Sequence, residues 1–282
     1  MTDGQIAVAL VLVSALMHAT WNAIVKLSGE RLAVMAVVDS LCFLIALSLT
    51  PFVPLPSAAA LPFLAASVLL AIGYKAALLG AYRHGDFSQA YPLMRGSAPL
   101  LVAVYAIVFG ADRLSWIGFA GIAIVSAGLF ALVDWKQGRG ILLMFALCTG
   151  ATLAAATLID GTAVQRYSDP LTYIVWLEVL EHIALPVYAI VSRRPQYLGV
   201  LRSQWRSAGV AAVNRIGSYG LMVWAMSLAA IAPLAALRET SVVFGALIGY
   251  FILKEPFGAR RVAATALVVC GIVVLQLSRA MP

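Results

Sequence analysis

The chain has 282 residues, of which 63% are hydrophobic and only 11% are charged. A soluble domain carries about 25% charged residues, so this composition excludes a water-soluble globule and, with it, a soluble enzyme or nucleic-acid-binding domain. The net charge of +7 lies mainly in short loops, where basic residues set membrane topology and contact anionic headgroups.

Apolar runs of about 20 residues recur along the whole chain, which is the pattern of transmembrane helices. Ten spans are predicted, and their short connections leave no room for a separate soluble domain. The first five cover residues 5–27, 32–50, 61–83, 87–110 and 115–134. The last five cover residues 141–160, 170–192, 205–231, 232–253 and 259–277. The first run is too long for the apolar part of a signal peptide, so we expect it to be retained.

Charged residues recur in the same helix order in the two halves of the chain. The order is acid, base, base, in the pairs Asp39 and Glu178, Lys75 and Arg215, and Arg95 and Arg238. Because each copy has an odd number of spans, the second copy crosses the membrane in the opposite sense. The sequence therefore predicts an all-α polytopic membrane protein. Its ten transmembrane helices form two inverted five-helix repeats, residues 1–134 and 135–282, around a central cavity.

Two of these arginines are interpreted as substrate-binding residues. Arg95 is flanked by Pro92 and Pro99, which remove backbone donors and indicate a broken helix. Such breaks are tolerated in lipid where protein or a water-filled cavity satisfies the backbone. A guanidinium matches a carboxylate with two parallel hydrogen bonds, so we expect Arg95 and Arg238 to face the substrate. The alternative is a structural arginine–carboxylate bridge, for instance from Arg238 to Glu181.

The other intramembrane charges can neutralise one another. A charge at the centre of a spanning helix costs roughly 2.5–3.5 kcal/mol, and antiparallel neighbours supply partners. The predicted structural pairs are Asp39 with Lys75 and Glu178 with Arg215. A functional role for these four residues is the alternative.

Polar and aromatic residues on the same spans are candidates for the cavity wall. His18 shares a helix face with Trp21 and Asn22. The further substrate-binding candidates are Tyr74, Tyr82, Tyr91, Ser97, Asn214, Tyr219 and Trp224. The alternative for each is packing within the core or, for the aromatic residues, a place in the interfacial belt.

The sequence contains no catalytic motif, no phosphate-binding loop and no metal-ligand spacing of its histidines. We therefore expect no enzyme activity, no cofactor and no metal. Without an ATP site, transport must be driven by a gradient or by exchange. The cysteines Cys42, Cys148 and Cys270 lie inside apolar runs and are interpreted as small core residues.

Loop lysines and arginines are divided unequally between the two membrane faces. One face collects Lys26, Arg31, Arg83, Lys136, Arg139, Arg193, Arg194, Arg202, Arg206, Lys254, Arg260 and Arg261. The other collects Arg113, Arg166 and Arg279. The positive-inside rule places the larger set in the cytoplasm, which puts both termini outside.

Each half of the chain ends in a glycine-bearing helix, with Gly118, Gly121 and Gly128 in the first and Gly271 in the second. The helix before it ends in a charged junction, Gly110-Ala111-Asp112-Arg113 in the first half and Leu253-Lys254-Glu255-Pro256 in the second. Together with the segment around Arg95, these features resemble the drug/metabolite transporter superfamily, and in particular its EamA-type ten-helix permeases. The resemblance covers the whole chain.

This resemblance implies secondary transport by alternating access, with a cavity lined by the first, third, fourth, sixth, eighth and ninth helices. Many bacterial members resemble exporters of amino acids, including aromatic ones. The resemblance also implies that both termini lie in the cytoplasm, whereas the charge count favours the opposite orientation. Both orientations stay open.

We therefore predict a multi-pass inner-membrane protein that exports small metabolites, most of all amino acids. Its partners are a small-molecule substrate and the lipid bilayer, without nucleic acid, and two fused repeats make a monomer sufficient. Flux is either uncoupled or proton-linked, with His18, Glu178 or Glu181 as candidate titratable groups.

Three alternatives are retained. The first is transport of phosphorylated metabolites, which would require Lys75, Arg95, Arg215 and Arg238 to converge on one cavity. The second is transport of drugs. The third is a lipid-carrier flippase, which would need a lateral opening between helices.

Overall fold

The structure is a computed structural model that describes residues 2–28, 30–84, 87–108, 115–133, 140–252 and 258–280. Within these ranges the chain is almost entirely helical and has no β-strand. The predicted junctions at 110–113 and 253–256, and the predicted boundary between the halves at 134–135, lie outside the described residues.

The first half of the chain forms α1 (Asp3–Leu27), α2 (Arg31–Leu49), a 3-10 turn (Thr50–Phe52), α3 (Leu61–His84), α4 (Phe87–Val108) and α5 (Trp116–Phe130). The second half forms α6 (Gly140–Arg166), α7 (Pro170–Glu181), α8 (Ala184–Ser192), α9 (Arg194–Ser203), α10 (Trp205–Leu228), α11 (Ile231–Leu237), α12 (Thr240–Phe251) and α13 (Ala259–Ala280). Helices thus lie in every predicted span.

Several of these helices have the length and composition of membrane spans. In the described residues, five segments are long and apolar enough to cross a membrane, namely Asp3–Lys26, Leu32–Phe52, Gly140–Arg166, Pro170–Ser192 and Ile231–Phe251. Shorter apolar helices occupy Leu61–Ala77, Leu93–Val108, Trp116–Phe130 and Val262–Ser278. The all-α, polytopic membrane class is confirmed, whereas the ten-helix count and the inverted repeat stay predictions.

Two predicted spans are each divided into two helices. α7 and α8 share the span at 170–192 and are separated at His182 and Ile183. α11 and α12 share the span at 232–253 and are separated at Arg238 and Glu239. Both interruptions therefore coincide with buried charged or titratable side chains.

The break predicted in α4 is wrong. This helix runs without interruption from Phe87 to Val108, through Pro92 and Pro99. Prolines are accommodated in membrane helices where neighbouring helices cover the freed carbonyl groups, and α4 packs against α5 and α6. The break beside an arginine is found instead in the ninth predicted span.

The sixth helix is longer than predicted. α6 continues beyond Asp160 to Arg166, because Gly161, Ala163 and Val164 extend its buried face. Asp160 is therefore an interior residue of the helix rather than its end. The polar connection at 193–206 also contains a helix, α9, whose buried residues include Tyr197 and Val200.

The two halves of the chain pack against each other. The most extensive contacts are those of α1 with α10, α5 with α13 and α3 with α6. The α1–α10 and α3–α6 contacts join the first predicted span to the eighth and the third to the sixth. These two contacts are counterparts of each other under the predicted repeat.

α5 and α13 approach each other at glycine. A Cβ at Gly121 would lie 2.8 Å from Leu275 N, and a Cβ at Gly271 would lie 2.6 Å from Val125 N. Small residues permit such close backbone packing between membrane helices. This contact joins the last helix of the first half to the last helix of the second half.

The cysteines differ in their surroundings. Cys42 is buried, as predicted, but Cys148 and Cys270 are exposed on apolar helices. The core assignment is therefore wrong for these two residues. An apolar run does not by itself distinguish a core-facing position from a lipid-facing one, because both are apolar.

Candidate functional site

Arg95 of α4 forms an ion pair with Glu239, which lies at the interruption between α11 and α12. Its Nε donates to Glu239 Oε2 at 3.1 Å, and its Nη2 donates to Ser241 Oγ at 3.2 Å. Arg95 is 5% exposed and Glu239 is 3% exposed, so the pair lies within the protein interior. The bridge joins the first half of the chain to the second.

A small cavity, partly open to solvent, lies beside this ion pair. We call it the arginine cavity. Its polar lining is Arg95, Arg238, Glu239 and Thr157. The remaining wall is made of Ala98, Pro99, Val102, Leu153, Met222 and Ala235. Both signs of charge therefore face the same small, largely apolar space.

Arg238 caps the C-terminus of α11 at the edge of this cavity. Its Cζ lies 5.5 Å from the centre of the Tyr219 ring on α10, a cation–π distance. The structure thus brings Arg95, Arg238 and Tyr219 together. Glu181, the carboxylate considered as a structural partner of Arg238, instead lies 3.5 Å from Arg215 Nη2.

Asp160 of α6 is a fully buried carboxylate that was missed in the sequence. The Tyr173 hydroxyl donates to its Oδ1 at 2.7 Å, and the Tyr219 hydroxyl donates to its Oδ2. Ser67 of α3 also forms a side-chain hydrogen bond with it. The sequence did contain a signal for this residue. Small and apolar residues continue beyond Asp160 to Val164, so the carboxylate lies inside the span and not at its end.

A second group of charges surrounds Asp39 of α2, and we call Asp39, Lys75, Glu181 and Arg215 the ion cluster. Lys75 Nζ lies 3.0 Å from Asp39 Oδ2, and Arg215 Nη1 lies 2.9 Å from Asp39 Oδ1. Glu181 Oε1 lies 3.5 Å from Arg215 Nη2 and 4.0 Å from Lys75 Nζ. Two acids and two bases therefore face one another.

The pairing of Asp39 with Lys75 is present, but the predicted pairing of Glu178 with Arg215 is not. Arg215 contacts Asp39 and Glu181 instead. Glu178 and Glu181 are three residues apart on one helix, so they share a face. Spacing along the chain therefore did not determine which of the two meets Arg215.

Glu178 is partnered by His182, which was not singled out in the sequence. His182 Nδ1 lies 3.2 Å from Glu178 Oε2 and 2.8 Å from the Glu178 carbonyl oxygen. His182 Nε2 lies 3.8 Å from Asp39 Oδ1. Both members of the pair are buried, at 1% exposure for His182 and 2% for Glu178. The sequence could have indicated this pair, because residues four apart on a helix are neighbours.

The polar face predicted on α1 is present and adjoins the ion cluster. Trp21 Nε1 donates to His18 Nδ1 at 3.3 Å, and the two rings meet edge to face. Asn22 Nδ2 donates to the His18 carbonyl oxygen at 2.7 Å. Arg215 Cζ lies 5.4 Å from the centre of the Trp21 ring. Trp21 therefore extends the ion cluster toward α1.

Other predicted site residues make local contacts. Tyr74 packs against a small apolar cluster between α3, α4 and α6. Ser97 and Asn214 donate hydrogen bonds to carbonyl groups of their own helices, at 3.0 and 2.9 Å. Trp224 is 42% exposed and is not part of the arginine cavity lining. The side chains of Tyr82 and Tyr91 lie outside the described residues.

The chemistry of these groups is recognition by charge, hydrogen bonding and shape. Arginine and glutamate in the arginine cavity can bind groups of opposite charge, and the apolar wall can accept an apolar body. In the part of the chain that the structure describes, no group of three or more His, Cys, Asp or Glu side chains is arranged to hold a metal ion.

Three comparisons with known proteins agree with this architecture. Residues 139–277 match the EamA-like transporter family. A WAT1-related chloroplastic protein of Arabidopsis thaliana is 23% identical over 188 residues, which are 62% of this chain and 45% of that protein. The chain thus spans about half the length of this curated relative.

A solved crystal structure shares the fold along almost the whole chain. It superimposes with a TM-score of 0.72 and 14% sequence identity, and the match covers 98% of each chain. At this identity the likeness concerns the fold alone. The EamA-like match over residues 139–277 and the plant relative support placing this chain in the drug/metabolite transporter superfamily.

Proposed function

We propose that this protein exports small metabolites, most of all amino acids, across the inner membrane as a secondary transporter. The observation that carries this proposal is the arginine cavity, where Arg95, Arg238 and Glu239 meet an apolar wall. A zwitterion needs a cation for its carboxylate and an anion for its ammonium group, and this cavity offers both. The apolar wall suits an apolar or aromatic side chain.

The proposed mechanism is alternating access between the two halves of the chain. Arg95 belongs to the first half and Glu239 to the second, so their ion pair spans the two. In inverted-repeat transporters the substrate lies between the copies, near the bilayer midplane. A zwitterion that binds here replaces one internal ion pair with two intermolecular ones, so the charge balance of the cavity is kept.

Transport of phosphorylated metabolites is less well supported by the geometry. A phosphate site would gather several bases around one cavity, and four bases were available in the sequence. Lys75 and Arg215 lie in the ion cluster, where they contact Asp39 and Glu181. Only Arg95 and Arg238 line the arginine cavity. This distribution favours a carboxylate over a phosphate.

The proposal is tested by counterflow in proteoliposomes that contain the purified protein. A panel of radiolabelled amino acids is offered beside a sugar phosphate, a cationic drug and a labelled lipid carrier. We expect exchange of one or more apolar or aromatic amino acids. Exchange of the sugar phosphate or the drug, or flipping of the lipid carrier, with no flux of any amino acid contradicts the proposed substrate class.

The role of the arginines is tested with Arg95→Lys and Arg238→Lys. Each variant keeps the charge and loses the planar, bidentate donor, so we expect KM for the transported amino acid to rise about tenfold or more. Arg166→Lys is the matched control, because this arginine is exposed at the end of α6. Unchanged transport in both cavity variants at equal expression identifies these arginines as structural.

A further inference from the structure

The ion cluster is balanced in charge without any further partner. Asp39 lies between Lys75 and Arg215 at 3.0 and 2.9 Å, and Glu181 faces the same two bases at longer range. Two carboxylates and two permanent cations sum to zero. Any additional acid in this region must therefore be neutralised by something other than Lys75 and Arg215.

Glu178 is that additional acid, and its partner is a titratable side chain. His182 Nδ1 lies 2.8 Å from the Glu178 carbonyl oxygen. A carbonyl oxygen only accepts hydrogen bonds, so Nδ1 carries the hydrogen. The same Nδ1 lies 3.2 Å from Glu178 Oε2, and the second ring nitrogen faces Asp39 Oδ1 at 3.8 Å. A carboxylate thus lies at each end of the imidazole ring.

The Glu178–His182 pair is neutral only when it holds one extra proton. An imidazolium beside a carboxylate and a neutral imidazole beside a carboxylic acid have the same total number of protons. Removing that proton leaves one uncompensated negative charge, in a place where both side chains are at most 2% exposed. Uncompensated charge within a membrane protein interior is strongly unfavourable. The buried pair therefore retains its proton until it meets water.

The groups that face the pair are contributed by four helices. α2 supplies Asp39 and the buried thiol of Cys42, and α3 supplies Lys75. α7 itself supplies Glu181, and α10 supplies Arg215. Apart from the thiol, these are the four members of the balanced ion cluster.

We infer that the Glu178–His182 pair binds the proton that drives transport, with one proton moving inward for each substrate molecule exported. This inference rests on the proposed transport function. The proton is taken from water on the outer side and held on the Glu178 carboxyl group or on His182 Nε2, because Nδ1 already carries a hydrogen. It is released to water on the cytoplasmic side when the cluster opens there. The protein returns to its starting protonation state, and no covalent bond other than that to the proton changes.

The position of His182 connects this site to the arginine cavity. His182 occupies the interruption between α7 and α8, where the chain can bend. Loss of the proton leaves three carboxylates competing for Lys75 and Arg215. Arg215 lies one turn from Tyr219 on α10, and Tyr219 meets Arg238 at the arginine cavity. A shift of Arg215 is thereby transmitted along α10 to the substrate.

The inference is tested with two flux measurements on the same proteoliposomes. Counterflow of the transported amino acid needs no net proton movement, whereas accumulation against its gradient under an imposed pH difference does. With one coupled proton, a difference of one pH unit sustains about tenfold accumulation. We expect Glu178→Gln and His182→Gln to retain counterflow and to lose accumulation. Glu30→Gln, an exposed acid before α2, serves as the control that accumulates normally.

Two results overturn the inference while leaving the transport function intact. One is counterflow in the natural protein without pH-driven accumulation. The other is wild-type accumulation in both variants. If no amino acid shows counterflow, the proposed substrate class fails, and the proton site is then decided without substrate by the pH dependence of Tm in detergent.

The substrate-free measurement has a definite sign. If the folded state holds one more proton than the unfolded state, stability falls as pH rises. We expect this fall in the natural protein and in Glu30→Gln, and a flatter profile in Glu178→Gln, which no longer needs the proton. Equal pH slopes in the natural protein and Glu178→Gln overturn the inference.

Discussion

Arg95 Nε lies 3.1 Å from Glu239 Oε2, so the buried guanidinium of α4 is held by the carboxylate between α11 and α12. The arginine was expected to meet a substrate carboxylate, and in the structure a carboxylate of the protein occupies that position. A substrate carboxylate that binds the same Nε donor of Arg95 would displace Glu239. The displaced carboxylate then becomes available to the substrate's ammonium group.

The first prediction concerns the stability of this ion pair. Arg95→Gln or Glu239→Gln alone leaves a buried charge without its main partner and should destabilise the protein by about 3–5 kcal/mol. The double variant removes both charges, so its loss should be smaller than the sum of the single losses by about 0.5–3 kcal/mol. Thermal unfolding in detergent measures all three variants. Additive losses contradict a direct interaction.

The second prediction concerns recognition of the amino group. In Glu239→Gln the anion that would bind the substrate's ammonium group is lost, whereas both arginines remain. We expect the variant to lose about tenfold or more in affinity for the transported amino acid. Its affinity for the corresponding carboxylic acid without the amino group should change little. Competition in the counterflow assay measures both affinities.

An equal loss for the amino acid and its amine-free analogue contradicts this role of Glu239. Asp169→Asn is a suitable control for the substitution of an acid by its amide. Asp169 is exposed and caps the N-terminus of α7, and it lies outside the arginine cavity. Its substitution should not alter the ratio of the two affinities.

The third prediction separates the two contacts of Tyr219. Its hydroxyl donates to Asp160, and its ring faces Arg238. Tyr219→Phe removes only the hydrogen bond to the carboxylate and should cost about 1.5–3 kcal/mol of stability, with KM unchanged. Tyr219→Leu also removes the aromatic face and should raise KM by roughly 2- to 30-fold.

Both Tyr219 variants are compared with Tyr173→Phe, which removes the other tyrosine hydrogen bond to Asp160 at 2.7 Å. That variant should lose stability without a change in KM. Equal KM values for Tyr219→Phe and Tyr219→Leu contradict a cation–π role of the ring.

The fourth prediction concerns the contact between α5 and α13. A Cβ at Gly271 would lie 2.6 Å from the backbone nitrogen of Val125, so Gly271→Ala requires the two helices to move apart. We expect a loss of about 1–3 kcal/mol, measured by thermal unfolding. Gly245→Ala is the control, because a Cβ there has no atom of another helix within 4 Å.

Gly245→Ala should leave stability unchanged or raise it by up to about 1 kcal/mol, since alanine is the better helix former. A Gly271→Ala variant as stable as the natural protein contradicts the close packing of these helices. The comparison isolates packing from helix propensity, because the same substitution is made in both helices.

The sequence predicted the helical segments better than it predicted their interruptions. Apolar runs marked every helix except α9. However, α4 continues through Pro92 and Pro99, while the ninth span breaks at Arg238 and Glu239 without a proline at the break. Helix continuity in a membrane depends on whether neighbours satisfy the backbone. Whether neighbours satisfy the backbone depends on helix packing, and helix packing cannot be predicted from a short stretch of sequence.

Composition and hydropathy by themselves determined that this chain is an all-α, polytopic membrane protein, because burial in lipid imposes its apolar character on every span. The motifs indicated a resemblance to the drug/metabolite transporter superfamily. The sequence predicted the Asp39–Lys75 pair, and the tertiary structure decided the other pairings. Arg95 pairs with Glu239, and Arg215 pairs with Glu181 rather than with Glu178. Asp160 accepts hydrogen bonds from two tyrosine hydroxyls. The reason is physical: hydropathy is a local property, whereas an ion pair depends on the rotation and adjacency of helices distant in sequence.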